Sequence, residues 1–145
     1  FLGAVPTNTL NGKRDYVLFL CYLTSGRRTG EVKNLKQKQI LRDGKQAWLV
    51  WGKGKERRRE RMTENLWKAM ERYLSECGVQ NRGLEDYVFT AWRGGQATGR
   101  PLSTTRVCHL VKQYARRAGI SPEITVQTLR QTAVEQRRKA FEYHP

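Results

Sequence analysis

The period of the apolar positions changes several times along the chain, and each change marks an element. YVLFLCYL at 16–23 is an unbroken apolar run inside a helix expected over 13–23, which reads as buried rather than as a surface helix. Residues 1–11 hold Gly3, Pro6 and a TNT cluster, a loop lead-in in which Asn11 is the expected helix cap. Ser25 and Gly26 interrupt the pattern. Beyond them Arg28, Glu31, Val32 and Leu35 fit the i, i+3, i+4, i+7 spacing of a second short helix, with Arg28 and Glu31 on one side.

The period then shortens. In QILRDGKQAWLVW (39–51), Asp43-Gly44 separates an apolar-ended arm from the β-rich AWLVW, the signature of a tight hairpin. GKGKERRRERM (52–62) adds a second glycine-rich turn, with Lys53 at it, and a third arm, so 39–62 is expected to be a three-stranded antiparallel sheet. From Thr63 the helical period resumes through Leu66, Met70 and Leu74, with Trp67 and Tyr73 beside them, to near Gly78. Residues 79–101 are glycine-rich and polar around YVFTAW, and are expected to be mostly loop. Ser103 opens a helix with Val107, Leu110, Val111 and Tyr114 on one face and Gly119 as its stop. Thr125 caps a last helix whose buried stripe is Val126, Leu129, Ala133 and Ala140. The expected class is therefore α+β: a mainly helical domain with one small three-stranded antiparallel sheet.

Composition narrows the partner. The chain has 145 residues, 38% of them hydrophobic, enough for one globular unit with a modest core. Twenty-eight Lys and Arg against thirteen Asp and Glu give a net charge of +15, which points to a polyanion, with nucleic acid ahead of a membrane surface. The longest apolar run is far short of the roughly 20 residues that span a bilayer. Cys21, Cys77 and Cys108 are odd in number, widely spaced and outside any CxxC pair, so neither a disulfide framework nor a zinc site is indicated and a reducing cytosol fits. Neither a metal nor another cofactor is expected.

Three clusters carry candidate chemistry. In TSGRRTGEVKNL (24–35), Arg28 in the expected first helical turn can grip two phosphate oxygens, with Glu31 one turn on to hold it; an ordinary i, i+3 surface ion pair is the equally open alternative. In GKGKERRRER (52–61), a lysine between two glycines swings freely, and cationic neighbours lower a lysine's pKa, which helps it donate a proton. Sequence-blind phosphate contact is the competing reading. In TVQTLRQTA (125–133), Gln127, Arg130 and Gln131 share a helix face opposite Val126, Leu129 and Ala133, as any solvated polar face would. His109 is expected to be partly packed near its helix's apolar stripe, and Trp48, Trp51 and Trp67 to be core or sheet-face residues. Trp92 with Arg93 is either a DNA contact or a loop anchor.

Taken in order, the three clusters resemble the boxes of the tyrosine recombinase (phage integrase) catalytic domain. SGRRTGEV is similar to that family's TGLRxxEL box, GKGKERR to its GKGxKER hairpin lysine motif and TLRQT to its HxLRHT box. GKRDYVLFLCYL and LSTTRVCHLVKQYARRAGI resemble the helices that precede the first and last boxes. The resemblance implies site-specific DNA recombination or integration without a metal, in which a tyrosine attacks the scissile phosphate, forms a 3′-phosphotyrosine link and frees a 5′-hydroxyl. It implies Arg28 and Arg130 as phosphate-clamping arginines, Lys53 as the acid for the 5′-oxygen, Glu31 as the residue supporting Arg28, and Gln127 and Gln131 at the positions of the family's histidines. Arg27, where the family has an apolar residue, is expected to contact backbone or be solvated. Lys55, Arg57 and Arg59 on the hairpin, and Thr104, Thr105 and Arg106 at a helix start, are the implied contacts to double-stranded DNA.

Two departures shape the expectation. A glutamine donates a hydrogen bond to a phosphate oxygen but does not take a phenolic proton, so Gln127 and Gln131 replace general-base capacity with neutral donors. Only fifteen residues follow Arg130, and Tyr143, with its neighbour His144, comes too early for the family's nucleophile and lacks its GH context. Residues 1–145 are therefore expected to be part of a catalytic domain, without the N-terminal DNA-clamping domain or the C-terminal tyrosine segment, and inactive alone. Family members act as tetramers on DNA; for this chain the expectation is a monomer in solution and a cytoplasmic, DNA-associated protein of a prokaryote, phage or mobile element. The alternative is a non-catalytic basic nucleic-acid-binding module.

Overall fold

The computed structural model describes residues 1–79, 82–93, 96–121 and 123–143, the side chains of 96, 97, 137 and 139–143 excepted. The chain divides into two compact units: Phe1–Lys33 with Ser103–Pro145, and Asn34–Leu102.

The first unit is helical. Helix α1 (Leu10–Ser25) starts earlier than expected, because Thr9 rather than Asn11 is its cap. Thr9 has the extended backbone of a capping residue and its Oγ1 accepts from the Gly12 N–H at 3.0 Å, whereas Asn11 already lies inside the helix. A Cβ on Gly12 would fall 1.7 Å from the Pro6 carbonyl oxygen, so the lead-in crosses α1 where only glycine fits. Helix α2 (Thr29–Lys33) is short. Helix α4 (Thr104–Arg117) is capped by Ser103, whose Oγ accepts from Arg106 N–H at 3.0 Å, and it buries Val107, Leu110, Val111 and Tyr114 as its spacing predicts. Helix α5 (Val126–Tyr143) begins at a reciprocal Thr125–Thr128 pair and buries Val126, Leu129 and Ala133; the Ala140 side chain lies outside the described residues.

These stripes close on Val17, Leu18, Phe19, Cys21 and Tyr22 of α1. A charged pair, Arg14 and Asp15, is buried with them. Asp15, 1% exposed, accepts from Arg14 Nε at 2.9 Å on Oδ1 and from the Tyr114 hydroxyl at 2.6 Å on Oδ2. Burial, and then this bond to Asp15, push the Tyr114 phenol well above the usual tyrosine range.

The second unit holds the expected sheet, in the order β1 (Ile40–Asp43), β2 (Gln46–Trp51), β3 (Arg58–Arg61), all antiparallel. The first turn is Gly44-Lys45, not Asp43-Gly44: Asp43 pairs with Gln46, and Gly44 supplies the positive φ of 62°. Ala47, Leu49 and Trp51 are buried; Trp48 is half-buried, with the Arg59 guanidinium 5.1 Å from its ring. Thr63 caps α3 (Glu64–Glu76), whose Trp67 lies under Arg42 of β1 at 4.9 Å. The expected loop at 79–101 is corrected in its second half, where β4 (Thr90–Arg93) and β5 (Gln96–Pro101) form an antiparallel hairpin with an irregularity between Thr90 and Trp92. It follows directly on Val88 and Phe89, both fully buried. Tyr73 of α3 stacks on Phe89 at 6.0 Å and donates its hydroxyl to the Val88 carbonyl at 2.6 Å.

Candidate functional site

In the first unit the turn between α1 and α2 is tied at every residue. Ser25 Oγ donates to the Cys21 carbonyl at 2.6 Å and accepts from the Arg27 N–H at 3.2 Å. Gly26 ends α1 in the left-handed region, φ 67°. The Tyr22 hydroxyl donates to the Thr29 carbonyl at 3.0 Å. Burial, chiefly, pushes that phenol far above its ordinary range, with Cys21 and Cys108 adding to the effect and Arg130 opposing it. Tyr22 thus remains a protonated donor holding α2 to α1.

Arg28 stands just ahead of α2, not in its first turn. Its carbonyl accepts from Val32 N–H at 3.2 Å, and its own N–H donates to Glu31 Oε1 at 3.2 Å, the carboxylate half of a capping box. A five-residue helix offers little dipole, so the expected helix-end contribution to anion binding falls away. Glu31 does not grip the Arg28 guanidinium either: its other oxygen lies 3.8 Å from Arg27 Nη1. Arg27 is therefore the paired arginine, rather than a solvated one, and Arg28 projects an exposed guanidinium with no side-chain partner among the described residues.

Arg130 reaches the same turn from α5. Its Nε donates to the Gly26 carbonyl at 3.1 Å, across 104 residues of sequence, and its Nη1 donates to Gln127 Oε1 at 2.6 Å. Arg130 is half-buried, while Gln127 and Gln131 are exposed on the same helix, next to the solvent-facing Val134. The fold thus ties Arg130, and Gln127 through it, to the turn that also carries Arg28 and Glu31, with Gln131 next to Arg130 on α5. Of these, Arg130 has the most constrained guanidinium. The side chain of Tyr143, at the end of α5, and the residue His144 lie outside the described ones.

In the second unit Lys53 sits exposed between Gly52 (φ 78°) and Gly54 (φ 57°). A Cβ on Gly52 would lie 2.6 Å from the Glu56 carbonyl oxygen, so this turn cannot form with another residue there. Lys55 and Arg57 are exposed beside it. Arg58 folds back onto the carbonyls of Lys55 and Arg57, and Arg59 covers Trp48. Trp92 is half-buried under Arg82, 5.8 Å from its ring, which favours the loop-anchor reading over the DNA-contact one.

Thr104, Thr105 and Arg106 are exposed in the first turn of α4. The same solvent face continues through Lys112, Arg116 and Arg117, residues not among the expected DNA contacts, and α4 contains no acidic residue at all. That extension was available from the helical period alone. His109 is exposed on this face, not partly packed. Two residues past Val107 is about 200° around a helix, opposite the stripe that buries Val107 and Leu110. Among the described residues no helix is long and apolar enough to cross a membrane.

A mainly helical chain with a three-stranded antiparallel sheet, an arginine of the last helix bonded to the turn that carries another, and a glycine-flanked lysine on a hairpin has the fold of a tyrosine recombinase catalytic domain. It superimposes with a TM-score of 0.73 on the XerH site-specific recombinase bound to difH, at 18% identity over 95% of this chain and 40% of that one, and with 0.74 on XerA recombinase, at 22% identity over 96% and 46%. The integrase of transposon Tn1549, solved with circular-intermediate DNA, gives 0.65 at 14% identity over 96% and 49%. The chain belongs to the phage integrase family, whose model matches residues 2–136. It is 29% identical over 124 residues to a tyrosine recombinase of Pseudothermotoga lettingae, matching 86% of this chain and spanning about 40% of the length of that relative.

Proposed function

We propose that this chain supplies the phosphate-activating part of a site-specific DNA recombinase. Arg28 and Arg130 bind the non-bridging oxygens of the scissile phosphate and stabilise the charge that grows on them, doing with two guanidiniums what a metal ion does elsewhere. Gln127 adds a neutral donor through Nε2, its Oε1 being held by Arg130. As a tyrosine oxygen bonds to phosphorus, the bond to the 5′-oxygen breaks and that oxygen takes a proton from Lys53 Nζ; reversal onto another strand completes exchange. The phenolic proton must leave to an acceptor other than Gln127 or Gln131, because a carboxamide does not take it. We assign the nucleophile to none of the described side chains, and read residues 1–145 as part of a catalytic domain that acts with other segments. Lys55, Arg57, Arg59, Thr104, Thr105 and Arg106 contact duplex DNA, and Glu31 supports the turn that carries Arg28.

The observation that carries this reading is the Arg130–Gly26 bond, which joins the turn bearing Arg28 to the helix bearing Arg130. The DNA-bound state of XerH and of the Tn1549 integrase supports DNA as the partner. The test is a covalent-adduct assay on a nicked recombination-site duplex with the protein translated from its complete reading frame. An adduct that Arg28→Ala and Arg130→Ala each abolish supports the proposal. Tight DNA binding with no adduct on any recombination-site duplex overturns it in favour of a non-catalytic binder.

A further inference from the structure

Arg130 is held by two contacts that differ in kind. Gln127 is a side chain one helical turn away, exposed and replaceable. The Gly26 carbonyl is backbone, and its direction is set by a left-handed conformation, φ 67°, that residues with a Cβ seldom adopt. Gly26 also lies against α5: a Cβ there would meet Val134 Cγ2 at 3.4 Å, Ala133 Cβ at 3.6 Å and the Arg130 carbonyl at 3.6 Å. These are ordinary contact distances, so a small side chain fits and backbone preference decides what the position tolerates.

We propose that Gly26 is a positioning residue for Arg130: the left-handed turn at the end of α1 aims its carbonyl at Arg130 Nε and so fixes the guanidinium beside Arg28. The bonds to Gly26 and Gln127 use two of the five N–H donors, and three remain for a ligand. Without the Gly26 acceptor, Arg130 pivots about its Gln127 contact. The sense of the glycine is therefore electrostatic as well as steric, since one backbone dipole holds a cation at a fixed place.

The inference rests on Arg130 as a phosphate ligand only for its functional consequence, and the experiment separates the two. In the unmodified chain, NMR of the arginine side chains should show the Arg130 Nε–H exchanging with water more slowly than the Nε–H of exposed Arg28, by the two- to tenfold worth of one hydrogen bond, about 0.5–1.5 kcal/mol. Equal exchange at the two overturns the proposal. Gly26→Asn, which tolerates the left-handed region, should keep the slow exchange, and Gly26→Val should lose it; protection retained in folded Gly26→Val also overturns the proposal.

Affinity for a short DNA duplex is then measured for Gly26→Val, Arg130→Ala and the double variant. A Gly26→Val loss that disappears in the Arg130→Ala background supports positioning, and an equal loss in both backgrounds overturns it. Slow Nε–H exchange in an unmodified chain whose Arg130→Ala variant binds DNA as before would leave the geometry standing while removing Arg130 from the phosphate site. If Gly26→Val does not fold, the exchange comparison in the unmodified chain and in Gly26→Asn decides the proposal alone.

Discussion

Glu31 accepts the Arg28 backbone N–H at 3.2 Å but leaves the Arg28 guanidinium alone, pairing instead with Arg27 at 3.8 Å. The acidic residue of this turn therefore supports Arg28 through the backbone, and the charge that would meet a phosphate is left unneutralised. The Arg27–Glu31 pair is about one-third exposed on each side and contributes little by itself.

Arg28→Ala should change the free energy of unfolding by no more than about 0.5 kcal/mol, because the side chain is exposed and makes no hydrogen bond or ion pair among the described residues. It should nonetheless weaken DNA binding. Glu31→Ala should do the reverse, costing about 0.3–1.5 kcal/mol through the lost capping bond. Glu31→Gln should recover most of that cost, since the amide oxygen still accepts from Arg28. Urea titrations of the three variants check the pattern; a stability loss on Arg28→Ala equal to that on Glu31→Ala would contradict the geometry.

How much of this was legible in the sequence depends on how far apart the interacting residues lie. Helix α4 and its Ser103 cap follow from a period of 3.6 and one hydroxyl, both local. The sheet follows from alternation and two glycine turns, although the first turn slid by one residue because Asp43 is still in register with Gln46. The partner of Glu31 was not legible: spacing permits either arginine, and the choice depends on where α2 begins. Once Arg28 becomes the residue before the helix, helical spacing no longer governs its side chain. The Arg130–Gly26 bond joins residues 104 apart, which no local pattern encodes. The β4–β5 hairpin was missed although the sequence sets Gly94-Gly95 between Thr90–Arg93 and Gln96–Pro101, a short-range turn signal, because polar residues and a further glycine diluted the alternation.

Tyr114→Phe should cost about 1–3 kcal/mol, the penalty for leaving Asp15 Oδ2 buried without the 2.6 Å donor it has now. Asp15→Ala should cost more, about 3–5 kcal/mol, because Arg14, 3% exposed, loses its carboxylate while remaining inside. Thermal and urea unfolding of both variants measure this. Equal losses would mean that the Arg14–Asp15 pair adds nothing beyond the tyrosine bond.

Alkaline pH acts through the phenols of Tyr22 and Tyr114. Both are raised in the folded chain above the ordinary value of about 10, so folding holds on to their protons more tightly than the unfolded chain does. The corresponding stability is fully present below about pH 10 and is lost as pH rises from there toward the folded values. The urea midpoint should therefore fall steeply above about pH 10. Tyr22→Phe and Tyr114→Phe should each flatten that decline while lowering the midpoint at neutral pH. A midpoint that declines equally steeply in both variants would remove the two phenols as its cause.

The glycine-flanked hairpin gives the sharpest separation of charge from chemistry. Lys53, Lys55 and Arg57 are exposed and their side chains have no hydrogen-bond or ion-pair partner among the described residues, while Arg58 and Arg59 are engaged with backbone carbonyls and with Trp48. If the three free cations each meet one phosphate, replacing all three by Ala should reduce the slope of log affinity against log salt by about 2.7, at 0.9 per contact. Replacing Arg58 should reduce it less, because its guanidinium is already turned back onto the hairpin. Lys53→Ala alone should look like Lys55→Ala in this assay, since a lysine that donates a proton is still only one charge to the duplex. The two part company in strand cleavage by the protein translated from its complete reading frame. There Lys53→Ala should lose about a hundredfold or more in rate, the worth of a positioned proton donor, and Lys55→Ala should lose only what its weaker binding explains. Equal cleavage losses for the two would make Lys53 one more phosphate contact and remove it as the acid.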